Sequence, residues 1–299
     1  MSEVPDVVVV GSLNQDLVAR VPHIPAPGET VLAGGHAAYA GGKGANQATA
    51  AARLGATVAM VGRVGADDFG SRLTFGLNDD GIDTTHVRID DDATTGLALI
   101  NVDDSGENAI SVSAGANARV GPGDVEAAAD LIRGARVVLM QLEVPLDAIE
   151  AAADMARGTV ILNPAPAAPL PADLLRNLDI LIPNESELAM LSGASVDGPA
   201  AAESAAASLH VRDVVITMGS QGALIVGKSG ATHVGAVPVT AVDTTGAGDA
   251  FCGALAAELA RGAYLEAAVR FAVRVAAVAV TRHGAQASMP NRDEVSALS

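Results

Sequence analysis

Short unbroken runs of apolar, mostly β-branched residues alternate along this chain with segments of helical period, and this alternation restricts the fold more than any other feature. Residues 7–10 run apolar up to Gly11, and 58–64, 137–142, 160–162, 180–182 and 214–218 repeat the pattern. Between them 45–54, 69–77, 146–156 and 185–191 read as helices, and 250–261 and 265–281 as two long Ala-rich helices. A strand that is apolar on both sides of its pleat must be covered on both faces. The pattern therefore predicts an α/β fold, a mostly parallel central sheet between layers of helices. With 299 residues, 49% hydrophobic and 18% charged, the chain can fill one such core, and no linker or repeat divides 1–299.

Two stretches break the rhythm. Segments 18–39 and 94–113 are rich in Gly, Pro and alternating apolar residues, with Thr95, Leu97, Leu99 and Asn101 interleaved by Ala98, Ile100 and Val102. They read either as ordinary surface hairpins or as a small β-sheet lid over a pocket.

Charge narrows the partners. A net charge of -17 disfavours nucleic acid and anionic membranes, but leaves room for a nucleotide held by backbone amides. The single cysteine, Cys252, suits a reducing compartment. Met1 to Asp6 holds two acids and no basic residue, and the apolar runs are too short for a membrane span, so cytoplasm is expected. No H-E-x-x-H, zinc-type cysteine set or G-x-S-x-G elbow occurs.

Chemistry concentrates in two glycine-rich segments, each leading into a helix. In Asp243-Thr244-Thr245-Gly246-Ala247-Gly248-Asp249, small residues let backbone N–H groups approach an anion at a helix start, where the dipole also favours negative charge. Asp249 then falls in the first helical turn, placed to take a proton from an attacking hydroxyl, with its pKa expected to be held low by the dipole. In Gly41-Gly42-Lys43-Gly44-Ala45-Asn46 the spacing fits neither a Walker A loop nor, with Phe251 in the place of a third glycine after Gly246 and Gly248, a dinucleotide fingerprint. Asn14 and Asp16 follow the first strand, and Glu143 follows the strand at 137–142. Strand ends are where open α/β sheets bind ligands.

These segments resemble the two signatures of the ribokinase (PfkB) family of carbohydrate kinases. Asn14-Gln15-Asp16, Pro27-Gly28-Glu29-Thr30, Gly106-Glu107-Asn108, Ala114-Gly115-Ala116-Asn117 and Leu142-Glu143 are similar to family segments in the same order. So are Asn163-Pro164-Ala165-Pro166, Pro183-Asn184-Glu185-Ser186-Glu187 and Thr281-Arg282-His283-Gly284-Ala285-Gln286. The resemblance implies a ribokinase-like three-layer sandwich with a lid, a homodimer paired through that lid, and transfer of phosphate from ATP to a small sugar. It implies that Asn14, Asp16, Gly42, Lys43, Asn46 and Glu143 hold the sugar, that Asp249 is the base, and that Gly246, Ala247 and Gly248 form the anion hole.

For ATP it implies Asn184, Thr217, Gly219, Ser220, Gly222 and Gly248, with Val273 near the adenine where the family can place a polar residue. It assigns Glu187 an indirect role toward Mg²⁺, and Asp243, Thr245, Ala279, Arg282, Gly284 and Ser288 a potassium site, with Ala287 standing where proline often precedes the serine. Asn-x-Asp at 14–16 and the Ala-Gly-Ala-Asn segment favour ribose. Deoxyribose, fructose, a sugar phosphate or a nucleoside are the alternatives within the family, and a non-catalytic sugar sensor is the alternative outside it. Scarce aromatics disfavour the nucleoside, and a sugar phosphate would want basic residues at the sugar site, where the chain's only two lysines are Lys43, part of a motif shared across the family, and Lys228.

Overall fold

The computed structural model describes residues 4–298, so the first three residues of the acidic N-terminal stretch lie outside the described chain. In chain order its strands are β1 Val7–Val10, β2 Asn14–Arg20, β3 Gly35–Gly41, β4 Val58–Gly65, β5 Asp83–Asp90, β6 Gly96–Val102 and β7 Asn108–Ser113. They continue with β8 Val137–Gln141, β9 Thr159–Asn163, β10 Ile180–Leu181, β11 Asp213–Thr217, β12 Ala223–Gly227 and β13 Gly230–Val234. A nine-stranded sheet runs β13-β12-β11-β10-β9-β8-β1-β4-β5, parallel except where β12 and β13 add antiparallel at one edge.

β1 lies inside this sheet, hydrogen-bonded to β4 and β8, and all four of its valines are buried. Its pleat sorts them by parity. Val7 and Val9 enter one core with Ala48, Leu54 and Leu255, while Val8 and Val10 enter the opposite core with Ile132, Ile149 and Leu188. Helices therefore cover both faces, as the unbroken apolar runs require. Among the described residues no helix is long and apolar enough to cross a membrane.

A separate four-stranded sheet, β3-β2-β6-β7, gathers the two segments expected to form a lid. Its boundaries differ from the expected ones. The first segment begins at Asn14, not at 18, and 21–34 is a connection between β2 and β3. Asn14, Gln15 and Asp16 are thus not a loop after β1 but the root of lid strand β2, with Asn14 paired to Gly41 and Gly96. The chain changes sheets within Gly11–Leu13. β5 escaped notice in the sequence because it is an edge strand with only Val87 and Asp90 buried.

The helices Lys43–Arg53 and Ala247–Ala260 carry the two glycine motifs at their starts and pack against each other. They approach closely because a Cβ at Gly253 would lie 2.4 Å from the Gln47 carbonyl and 2.6 Å from Ala50 Cβ. Gly76, in the Asp68–Asp79 helix, has nothing within 4 Å of such a position. Gly253→Val is expected to destabilise the chain by about 3 kcal/mol or more through overpacking, whereas Gly76→Ala is expected to stabilise it by about 0.5–1 kcal/mol. Urea unfolding of the two variants checks the pair, and equal effects would disprove the close helix contact.

Candidate active site

Backbone proximity explains the first glycine motif. Gly42 opens the Lys43–Arg53 helix at φ 89, where a side chain is strained, and a Cβ there would lie 2.6 Å from Asn14 N. One at Gly44 would lie 2.5 Å from Ser12 N. The helix start is therefore pressed onto the segment that joins β1 to β2. Glu143, just past β8, ties the contact together. Its Oε2 accepts from Ser12 Oγ (2.6 Å) and from Lys43 N (2.9 Å), and Lys43 Nζ stands 3.6 Å from Oε1. Asp16 packs its carboxylate against Gly41, where a methyl group would be 2.3 Å from Oδ2. Burial pushes the Asp16 carboxyl up to about 6, helped by Glu143 and Asp249 and opposed by Lys43.

The second motif forms the facing wall. Gly246, at φ 74, caps the Ala247–Ala260 helix, and Asp249 sits in its first turn, 8% exposed. Asn46 Nδ2 donates to Asp249 Oδ2 and Gln47 Nε2 to Oδ1, each at 2.9 Å. The expectation of a depressed pKa fails here. Loss of water on burial raises the Asp249 carboxyl above its ordinary value, and Lys43, Gln47 and Asn46 only partly offset it. Position in a helix governs the pKa of an exposed first-turn acid, but desolvation dominates once the group is enclosed. Lys43, which burial alone would lower, is raised by the surrounding Asp249, Glu143 and Glu187.

A polar cavity of about 180 Å³ lies over Asp249, lined by Lys43, Asn163, Asn184, Glu187, Gly246 and Gly248 among others. It meets a second, larger cavity of about 660 Å³ that shares Asn184, Thr217 and Gly248. The larger one brings together Gly219, Ser220, Gly222, Ala247 and Val273 with an apolar wall that includes Val237 and Phe251. Asp16 and Glu143 are not among the residues lining the smaller cavity, and Lys43 connects them to it.

Asn184 and Glu187 are first of all a reciprocal helix cap. Asn184 Oδ1 accepts from Glu187 N and Glu187 Oε2 from Asn184 N, both at 2.8 Å. Both residues still border the cavity, and burial raises the Glu187 carboxyl.

On the far side of Gly246, Asp243 Oδ1 accepts from Thr245 N and Oδ2 from Gly284 N, each at 2.9 Å. Burial would raise Asp243, but these bonds hold it below its ordinary value. The loop of Gly284 and Ser288 packs on Gly246, since a Cβ there would lie 3.0 Å from Ala285 Cα. Two expected members of this group are engaged otherwise: the Arg282 guanidinium pairs with Glu294 at 2.7 Å, and Ser288 Oγ donates to the Ala285 carbonyl at 2.8 Å. The Ala279 carbonyl accepts from Arg282 N at 3.1 Å.

Several working residues were not singled out from the sequence. Ser12 and Gln47 adjoin motif residues, and Gln141 ends β8 two positions before Glu143. Asn117 holds Leu13 by both its N–H and its carbonyl (2.9 and 3.0 Å) and donates to Asn14 Oδ1 at 2.7 Å. Its only sequence signal was its place in the Ala-Gly-Ala-Asn segment.

The pfkB family carbohydrate kinase model matches residues 4–292. A ribokinase of Haemophilus influenzae is 40% identical over 292 residues, which cover 96% of this chain and 95% of the relative. A deoxyribokinase of Salmonella typhi is 38% identical over 297 residues, covering 97% of each. The solved structure of an Arabidopsis thaliana ribokinase complexed with ribose and ATP superposes with a TM-score of 0.94 at 34% identity, covering 99% of both chains.

The raised Asp16 carboxyl has a consequence for stability. A carboxyl whose folded pKa is raised opposes folding once ionised, so its cost is absent at low pH, grows as pH rises from 3.8 to about 6, and is constant above. Asp16→Asn is therefore expected to be more stable than the parent chain by about 1–2 kcal/mol at about pH 8, the value being discounted for partial solvent access, and equal to it near about pH 4. Urea unfolding at the two pH values checks this. A pH-independent difference would remove the electrostatic explanation.

Proposed function

The chain belongs to the pfkB family of carbohydrate kinases, and from that premise we propose that it transfers the terminal phosphoryl group of ATP to the primary (5-) hydroxyl of D-ribose. The observation that carries this reading is Asp249, a buried carboxylate at the meeting of a polar recess and a nucleotide-sized cavity, beside a glycine-lined helix start. The sugar lies toward Asn14, Asp16, Gly42, Lys43, Asn46 and Glu143. Asn46 Oδ1 is buried without a partner and suits a hydroxyl donor. ATP lies in the larger cavity, its base against the apolar wall near Val273 and its phosphates toward Asn184, Thr217, Gly219, Ser220 and Gly222.

The amides of Gly246, Ala247 and Gly248 hold the transferring group, whose charge spreads over its oxygens in a loose transition state. Asp249 takes the hydroxyl proton as the new O–P bond forms and the bond to the leaving ADP breaks. A pKa raised by burial brings the base closer to the operating pH. Closure of the lid excludes water as a competing acceptor.

Magnesium accompanying ATP would neutralise charge between the phosphates, and the free Glu187 oxygen Oε1 suits an indirect, water-bridged contact with it. Asp243, its pKa held low by the amides of Thr245 and Gly284, suits a potassium ion that would add positive charge behind the anion hole, with the backbones of Thr245, Ala279 and Gly284 as its further ligands. Arg282 and Ser288 would contribute there through their backbones. A deoxyribose kinase is the second reading, favoured by the Salmonella relative. A sensor would not need the base. We place the enzyme in the cytoplasm, and its net charge of -17 argues against nucleic acid and membrane partners.

We also propose a homodimer through the lid. Register puts Tyr39, Ala98 and Val112 beside Asp16, and Ala37, Ile100 and Ile110 beside Val18, on one face. On that face Tyr39, Ile110 and Val112 are 41%, 54% and 60% exposed. A contiguous apolar sheet face of this kind marks an interface, and a second copy supplies a matching one.

In a coupled assay with ATP, magnesium and potassium, ribose is expected to be turned over faster than deoxyribose. Asp249→Asn is expected to lower kcat by about 10²–10⁴-fold without lowering the melting temperature, since it removes a desolvated charge. Near-parental turnover would remove Asp249 from the chemistry. Val112→Asp is expected to shift sedimentation from dimer to monomer, and a parent chain that sediments as a fully active monomer would refute the lid interface.

A further inference from the structure

Behind Asp249 a row of buried amides leads away from the cavity, and the reaction as described uses only its end. Gln47 Nε2 donates to Asp249 Oδ1 (2.9 Å) and to Asn163 Oδ1 (3.1 Å), and Gln47 Oε1 accepts from Gln141 Nε2 at 2.6 Å. Gln47 and Gln141 are both 0% exposed. The direction of the row is fixed from its far end. Asn163 Nδ2 donates to the Ile182 carbonyl at 2.8 Å, and a carbonyl can only accept, so Asn163 must present its oxygen to Gln47. Gln47 then needs both amide hydrogens for Asn163 and Asp249, which leaves its oxygen for Gln141.

Gln141 is thereby required to be a donor, and its own Oε1 is left buried without a partner. That oxygen sits where Gly11 has no side chain, since a Cβ there would be 2.2 Å away. A stranded buried acceptor lowers stability. A hydrophobic residue at 141 would remove it but strand Gln47 Oε1 in its place, so what the amide adds is the donor to Gln47.

We propose that Gln141 is a positioning residue for phosphoryl transfer: by donating to Gln47 it locks that amide with its NH₂ toward Asp249, and so holds the carboxylate in the one rotation that faces the attacking hydroxyl. If Gln47 flipped, its oxygen would confront both the Asp249 carboxylate and Asn163 Oδ1. The donor from Gln141 disfavours that flip. The inference rests on the kinase reading given above and adds to it a residue that touches neither substrate.

Two variants test it. Gln141→Met removes the stranded carbonyl and leaves Gln47 Oε1 unpaired instead, one buried acceptor for another, so the melting temperature is expected to stay within about 3 °C of the parent. The KM for ribose is expected to stay within about twofold while kcat falls about ten- to hundredfold, the loss that follows misplacement of a reacting group. Gln141→Glu keeps the shape, and its carboxyl donates only when protonated. Its kcat is expected to be near parental at about pH 6 and to fall as pH rises, an alkaline limb absent from the parent and from Gln141→Met.

The other ionisable groups facing Asp249 are Lys43 on its helix, Asp16 on β2, Glu143 after β8, Glu187 on the Glu185–Ser192 helix and Cys252 on its own helix. All are common to both variants, so they cannot produce that difference. A kcat for Gln141→Met within twofold of the parent would overturn the proposal. So would a Gln141→Glu profile that superposes on the parent's, or failure of both variants to fold. A parent chain inactive on ribose would instead overturn the kinase reading itself.

Discussion

Enclosing the charge of Asp249 is the constraint around which the rest of the site is arranged. A carboxylate stripped of water is costly unless donors surround it, and here Asn46 and Gln47 supply one donor to each oxygen while Lys43 supplies the nearby positive charge. Asn46 and Gln47 reach it only because the Lys43–Arg53 and Ala247–Ala260 helices touch almost backbone to backbone. That contact needs Gly253 in one helix and Ala50 in the other. The glycines at 42 and 44 then let the first helix rest on the segment leaving β1. The glycine motifs are thus one packing solution with two entrances.

Hydrogen-bond acceptors and donors are unevenly distributed around Asp249. Asp16, Glu143 and Asp249 crowd the sugar side with acceptors around the single cation of Lys43, which suits a ligand whose hydroxyls donate. Across the small cavity from Lys43, Gly246 and Gly248 stand at a helix start, with Ala247 N donating to the Thr244 carbonyl at 3.2 Å, and such a start suits a ligand that only accepts, such as a phosphate. On the proposed reading, this distribution would sort a polyol and a polyphosphate before any shape is considered. Burial, with a smaller contribution from the neighbouring acids, raises Asp16, Asp249 and Glu187 together.

Much of this was legible in the sequence. Unbroken valine runs can only be doubly covered strands, and glycines ahead of a helix can only admit a close neighbour, so the parallel sheet and both motif helices were readable from local chemistry. What could not be read depends on partners far along the chain. The Gln141–Gln47 bond spans 94 positions, Asn117–Asn14 spans 103 and Gln47–Asn163 spans 116. The pKa of Asp249 was misjudged for the same reason: its helical position is local, whereas its burial is set by the opposing helix. The lid boundary was misplaced because Asn14 and Asp16 are polar, yet they pair as strand residues with Gly41 and Tyr39 of β3 on one side and with Gly96 and Ala98 of β6 on the other.

That misplaced boundary has mechanical meaning. The segment that ends a central strand also starts a lid strand, and Asn117 fixes Leu13 on the core side of the junction. The other lid strands join the core at Gly41–Gly42 and at Gly96, again next to Asn14. Residues expected to hold the sugar, namely Asn14, Asp16, Gly42 and Lys43, therefore stand at the roots of the lid rather than on its blade. A ligand gripping Asn14 and Asp16 pulls on β2 itself, whereas one gripping only Lys43 or Asp249 pulls on the core. On the proposed reading, a sugar in the recess would therefore bear directly on the start of β2. Binding at the nucleotide cavity, whose lining includes no lid residue, has no such direct hold.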